Sequence, residues 1–364
     1  MIPIAKPIIE EEEINNVVEV LKTGIITQGP KVAEFEKQFA ELCDVKYAVA
    51  TSSGTTALHT ALVAAGIKAN DEVITVPFTF IASSNSVLFC NAKPVFVDIN
   101  EDTFNIDPNL IQEAITSKTK AILPVHLYGQ MADMDVIMDI AKDNNLIVIE
   151  DAAQAHATEC KGRKAGSIGN AGCFSFYPTK NMTTSEGGMI TTNNKDLYEK
   201  AALLRGHGMK VRYYHEFLAY NYRMTDLCAA IGLAQIKKLQ GYNQKRIENA
   251  AILNRGLSKI KGIITPKVAD GIKHVYHQYT IKITEEFGLS RNEVSEKLKE
   301  KGIGNMIYYP VPIHQQKFYI DMGFGGSFPK TEKAAAEVLS LPVHPSVNKE
   351  DIQIIIKSLK EISQ

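Results

Sequence analysis

What this 364-residue sequence lacks narrows it first. It has no excess of either charge: 40 Lys+Arg stand against 41 Asp+Glu, a formal net of −1. That balance argues against a general basic face for nucleic acid or an anionic membrane surface. No apolar run approaches the ~18 residues that a membrane-crossing helix needs. The opening Met1-Ile2-Pro3-Ile4-Ala5-Lys6-Pro7 soon meets Glu10 to Glu13, not the apolar core of a secretory leader. Cysteine is scarce: Cys43, Cys90, Cys160, Cys173 and Cys228 are odd in number, and no two lie closer than 13 residues. Neither a disulfide frame nor a zinc knuckle fits that spacing, and no metal site is expected. The expectation is a soluble, cytoplasmic, globular protein.

What is there is ordinary in bulk and informative in order. The chain is 45% hydrophobic and 22% charged, and its length suits two domains, or one large α/β domain with a smaller companion. Apolar runs at 47–50, 72–76, 94–97, 121–125 and 146–149 read as buried strands. Amphipathic stretches at 56–65, 82–89, 109–115 and 134–143 separate them, so the pattern is βαβ with a mostly parallel sheet. Two more strands are expected at 172–176 and 188–192, around a loop rich in Thr, Ser and Gly, and helices at 194–206 and 223–240. After Gly241 the pattern changes to a helix to about Ile260, a strand near Val275–Ile283, a helix at 291–301, a Pro- and Tyr-rich stretch and two more helices. This predicts a large α/β domain at 1–240 and a smaller α+β domain at 241–364.

Ligands of open α/β sheets bind beyond the carboxyl ends of strands, and three segments put polar groups there. Thr51-Ser52-Ser53-Gly54-Thr55-Thr56 is a strand end turning into a helix, whose free amides suit a phosphate or merely a Ser/Thr cap. It is neither a Walker loop nor a dinucleotide fingerprint. Ile149-Glu150-Asp151-Ala152-Ala153-Gln154-Ala155-His156 ends a strand in acids, fit for capping, for magnesium or for a protonated heterocyclic nitrogen. Phe174-Ser175-Phe176-Tyr177-Pro178-Thr179-Lys180-Asn181 carries a lysine past a strand, where partial desolvation would make its amine a nucleophile for carbonyls. Each signal alone is weak. Together they ask for a phosphate, a pyridinium nitrogen and a Schiff-base lysine, the recognition points of pyridoxal 5′-phosphate (PLP).

Glu150 to His156, Gly172 to Asn181 and Tyr220-Asn221-Tyr222-Arg223-Met224 resemble the DegT/DnrJ/EryC1/StrS family of PLP-dependent sugar aminotransferases. The resemblance extends to Tyr309-Pro310-Val311-Pro312-Ile313-His314 and Leu339-Ser340-Leu341-Pro342, and covers about Pro7 to the C-terminus. It implies an aspartate aminotransferase-like, fold-type-I PLP-dependent transferase, α/β, with a mixed, mostly parallel seven-stranded sheet. It implies that Lys180 forms the Schiff base and moves the proton, and that Asp151 pairs with the pyridine nitrogen. Gln154 would meet the phenolic oxygen and Phe80 would stack on the ring. Gly54, Thr55 and Ser175 would hold the phosphate, with Asn221 reaching it from the partner of a homodimer. Arg223, Tyr308, Tyr309 and His314 stand where the family contacts substrate.

The implied reaction cycles PLP through its pyridoxamine form (PMP), moving an amino group, with L-glutamate as the donor, to a nucleotide-linked ketosugar. A ketocyclitol aminotransferase and a non-catalytic, regulatory PLP-fold protein are the alternatives. Departures are few. Ala157 stands where many members have Gly, and Ser185-Glu186-Gly187-Gly188 replaces an Asp-Gly-Gly turn, as in some 4-aminotransferase branches. Tyr308 occupies the His place of several 3-aminotransferases, so the cues on carbon position conflict. Lys180 argues against the dehydratase branch, which has His there. Two other motifs lead nowhere: His274 and His277 would point to opposite faces of a strand, and Gly166-x-x-Gly169-x-x-Gly172 reads as a turn.

Overall fold

The computed structural model describes residues 1–364. Seven strands form one sheet: β1 (Tyr47–Thr51), β2 (Glu72–Thr75), β3 (Lys93–Phe96), β4 (Thr119–Ile122), β5 (Ile147–Asp151), β6 (Ala171–Ser175) and β7 (Gly188–Thr192). Their spatial order is β1-β7-β6-β5-β4-β2-β3. β7 runs antiparallel to both neighbours, and the pairings from β6 through to β3 are all parallel. Helices cover the sheet: α1 (Glu11–Thr23), α2 (Pro30–Leu42), α3 (Gly54–Ala64), α4 (Ala82–Phe89), α5 (Met134–Asp143), α6 (Lys195–Leu204) and the long α7 (Asp226–Leu257). Strands covered on both faces become apolar throughout. Val73, Ile74, Ala121, Ile122, Val148 and Ile149 are all fully buried. No helix is long and apolar enough to cross a membrane.

The C-terminal part adds an antiparallel sheet of β8 (Ile263–Ile264), β9 (Tyr279–Ile283) and β10 (Val338–Leu341). Around it lie α8 (Arg291–Glu300), α9 (Pro329–Glu337) and α10 (Lys349–Ile362). It has its own apolar core, with Leu253, Tyr279, Ile281, Leu298 and Ile355, and Ile2 at the start of the chain joins it.

Three readings need correction. The helices expected on either side of Gly241 are one helix of 32 residues, α7. A side chain at Gly241 would meet nothing within 4 Å, so the glycine sits on an open face where no neighbour forces a break. Leu233 and Leu239 belong to the large core, whereas Ala250 and Leu253 belong to the small one, so α7 passes from one to the other. The strand expected from Val275 begins only at Tyr279. The Val275 and Gln278 amides donate to the carbonyls of Gly129 (3.0 Å) and Tyr128 (3.3 Å), which draws this stretch toward the large sheet. The argument that placed His274 and His277 on opposite faces of a strand therefore loses its basis. His274 stacks on Tyr276 at 3.9 Å, while His277 enters the cavity described below. The helix expected at 109–115 is only a 3-10 turn, Pro108–Leu110, and one α-turn, Ile111–Ala114.

Candidate active site

The carboxyl ends of β1, β5 and β6 open into a cavity of about 650 Å³. On one side stands the N-terminus of α3. The Ser53 side chain caps it by accepting from the Thr56 amide at 3.1 Å, leaving the Gly54 and Thr55 amides as free donors beside the cavity. Gly54 is required by close approach: a Cβ there would stand 2.7 Å from the Ser175 Cβ. Gly188 is required for the same reason, since its Cβ would fall 2.2 Å from the Ser53 carbonyl oxygen. Backbone amides, the Ser175 hydroxyl and the helix dipole thus converge on a space where an anion is stabilised.

β5 ends in two acids that face different surroundings. Glu150 is fully buried and accepts from the amides of Gly166 (2.8 Å), Ile168 (2.9 Å) and Gly169 (2.7 Å). It also pairs with His126 Nε2 at 2.9 Å, while the Ala132 amide donates to His126 Nδ1 at 3.1 Å, which places the imidazole proton on Nε2. Burial alone would raise the Glu150 pKa, but the His126 contact and these amides bring it below the usual value. The glycine-rich stretch 166–172 is the turn that the sequence suggests, and it is held by Glu150.

Asp151 lines the cavity. Burial pushes its pKa up, opposed by the Ser83 hydroxyl, the Ala153 amide and the Lys180 charge. Ser83 Oγ donates to Asp151 Oδ2 at 2.6 Å, and the Ala153 amide donates to Oδ1 at 3.2 Å. Lys180 follows β6 in a turn closed by its own amide to the Tyr177 carbonyl at 2.8 Å. Burial lowers its pKa to about 8, with Asp151 pulling the other way. At pH 7 roughly a tenth of such an amine is unprotonated, far more than for an ordinary lysine near 10.5.

On the opposite wall, Gln154 Oε1 accepts from the Tyr128 amide at 2.8 Å and Nε2 donates to the Tyr309 hydroxyl at 3.2 Å. Burial pushes the Tyr309 pKa upward, so it stays a neutral phenol. The Tyr128 hydroxyl donates to the Tyr308 carbonyl, tying the 308–309 segment of the C-terminal part to the large sheet. Phe80 is half exposed at the rim, its ring 6.2 Å from that of Tyr309.

Gly54, Thr55, Phe80, Asp151, Gln154, Ser175, Lys180, Tyr308 and Tyr309 therefore share one cavity. Three residues singled out in the sequence do not line it. Asn221 is exposed and bridges Gly206, and Arg223 is half-buried and bridges Thr51. His314 is buried against Phe328 at 4.8 Å and turns its Nε2 to Glu332 at 3.3 Å. Conversely, Thr79, Ser83, Tyr128 and His277 line the cavity and were missed. For Thr79 and Ser83 the available signal was a pair of hydroxyls four residues apart where a helix begins.

A family model described as the DegT/DnrJ/EryC1/StrS aminotransferase family matches residues 7–360. The chain belongs to this family. The pleiotropic regulatory protein of Geobacillus stearothermophilus is 44% identical over 94% of this chain and 92% of its own length. GDP-perosamine synthase of Caulobacter vibrioides is 41% identical over 99% of this chain and 98% of that protein. Spr1654 of Streptococcus pneumoniae, assigned as a sugar aminotransferase, has been solved in its PLP form. It superposes with a TM-score of 0.94 at 30% identity, covering 100% of this chain and 98% of that one. DegT-family aminotransferases are PLP-dependent, and the seven-stranded, mostly parallel sheet is their fold. The free amides of α3, the space kept open by Gly54, the Asp151 carboxylate and the Lys180 amine are a donor set that fits PLP.

Proposed function

We propose that this chain is a nucleotide-sugar aminotransferase, cycling PLP and PMP between an amino-acid donor, L-glutamate, and a nucleotide-linked ketosugar. The observation that carries this reading is the sharing of one cavity by Lys180, Asp151 and the α3 N-terminus. The relative named GDP-perosamine synthase supports a nucleotide-linked sugar. Gly54, Thr55 and Ser175 would hold the phosphate, Asp151 the ring nitrogen, Gln154 the phenolic oxygen, and Phe80 a ring face. PLP, when bound, supplies an electrophilic carbon and an electron-withdrawing ring.

The chain's own groups do the rest. The Asp151 carboxylate would favour a proton on a ring nitrogen held against it, because an opposite charge at contact favours the protonated form. Lys180 Nζ, as a free amine, would hold and move a proton beside the reacting carbon, as base and then as acid. Tyr308 and Tyr309 orient the substrate and narrow the mouth against water.

A homodimer with shared sites is part of the proposal. Asn221 is exposed and does not line its own cavity, and Tyr213, Tyr214 and Leu218, just before it, are exposed by 74%, 72% and 85%. Large side chains this open, flanking a residue outside its own cavity, support burial against a second copy. The test is spectral first. Holoenzyme should show a visible band that shifts on adding glutamate, followed by amination within a panel of 3-keto and 4-keto nucleotide sugars. A band indifferent to every amino donor would favour a binding protein instead.

A further inference from the structure

We infer that Ser83, backed by Thr79, is a positioning residue that holds the Asp151 carboxylate as an oriented anion for its partner in the cavity. The inference rests on the proposed role of Asp151. A serine in a helix usually turns its hydroxyl to solvent or to a carbonyl in the preceding turn. Ser83 sits in the first turn of α4 and reaches instead across to a carboxylate 68 residues further along the chain.

Its hydroxyl has one proton, and the 2.6 Å contact to Asp151 Oδ2 lies in the range of a charge-assisted O–H···O⁻ bond. With that proton committed, the 3.0 Å contact between Thr79 Oγ1 and Ser83 Oγ must be donated by Thr79. The two hydroxyls therefore form a one-way chain, Thr79 to Ser83 to Asp151, in which each bond polarises the next. Ser83 and Thr79 are 1% and 4% exposed, so water does not compete with the chain. With the Ala153 amide on Oδ1, each carboxylate oxygen has one fixed donor and a lone pair to spare. The plane of the carboxylate is set before any ligand arrives.

Other titratable groups that act on Asp151 are Lys180, His126, Cys173 and Tyr309. Burial pushes the Cys173 thiol and the Tyr309 phenol upward, so both stay neutral when the carboxyl titrates. The Lys180 charge favours the Asp151 anion, while His126 commits its Nε2 proton to Glu150. Removing the Ser83 hydroxyl takes away a donor to the charged form, so Asp151 should protonate at higher pH.

The experiment uses holoenzymes of wild type, Ser83→Ala, Ser83→Thr, Thr79→Val and Asp151→Asn. For each, PLP affinity is measured by dialysis, the visible band is titrated with acid, and kcat and KM are measured for the amino donor. Ser83→Ala should move the acid limb of the band and of kcat upward by about one pH unit and lower kcat by roughly tenfold. KM and PLP affinity should stay within about threefold, because the α3 cradle is untouched. Ser83→Thr should restore the wild-type limb, and Thr79→Val should shift it the same way by less. A Ser83→Ala limb that superimposes on wild type overturns the inference. Should Ser83→Ala not fold, a Thr79→Val limb at the wild-type pH overturns it equally. If Asp151→Asn keeps wild-type band and turnover, the assignment of Asp151 has failed instead, an outcome separable from the first.

Discussion

Glu150 and Asp151 are neighbours on one strand, yet they lie in two regions that use a carboxylate in opposite ways. Behind the strand, Glu150 has its oxygens occupied by three backbone amides and a histidine, and its pKa is held down. In front, Asp151 has one hydroxyl and one amide, and burial pushes its pKa up. A saturated carboxylate fastens a turn and offers nothing further. An under-coordinated one, desolvated but still supported, has free lone pairs and a strong incentive to meet a proton donor. The number of donors around an acid thus separates structural use from chemical use better than burial does, since both residues are buried.

Breaking the front region should have the largest effect on chemistry. Asp151→Asn and Lys180→Ala should each lower turnover by about 10³-fold or more while retaining PLP bound through the α3 cradle. Borohydride reduction of the wild-type holoenzyme should label the peptide containing Lys180; label on another lysine would refute its role. Breaking the back region should strike the fold instead. Glu150→Gln sets an amide N–H among four donors, the His126 Nε2–H and three backbone amides, and should cost about 3 kcal/mol in thermal or urea unfolding. Its kcat, measured well below the melting range, should stay within about threefold of wild type. The sign with pH follows. Because the Glu150 pKa is lowered in the fold, its contribution is present above the ordinary value of 4.5 and is lost as pH falls through the folded value.

Two finer tests sharpen the contrast. Gly54→Ala forces a methyl against Ser175 and should weaken PLP affinity by roughly tenfold with little change in melting temperature, read by equilibrium dialysis. Lys180, lowered to about 8, should make apoenzyme capture of PLP accelerate as pH rises, with a midpoint near 8. Protonated below that pH, the amine is no nucleophile; a lysine at the ordinary value of 10.5 would place the rise far higher. Stopped-flow absorbance measures it.

The same contrast explains what could be read from the sequence. Strands buried on both faces need apolar runs, so all seven large-sheet strands were visible. The helix pattern placed α4 and α5 with the bounds observed, 82–89 and 134–143. Asp151 and Lys180 were visible because polar residues at the ends of apolar strands stand out. Ser83 was not, since a serine in a short helix looks like any other until the strand opposite it is known. Nor could the pattern separate Glu150 from Asp151, because the amides that saturate Glu150 come from residues 166–169 and leave no mark on β5. The false break at Gly241 came from giving a glycine a stopping power it lacks on an open helix face.

α7 has a thermodynamic consequence. Its first half is packed into the core of the large sheet and its second half into that of the C-terminal part. Neither core can melt without baring one side of a helix that the other still holds, so the cost of opening one falls partly on its neighbour. Heat should then be absorbed in a single peak, with calorimetric and van't Hoff enthalpies in agreement. A ligand gripped only at the strand ends would raise the melting temperature of the distant C-terminal part as much as that of the sheet it touches.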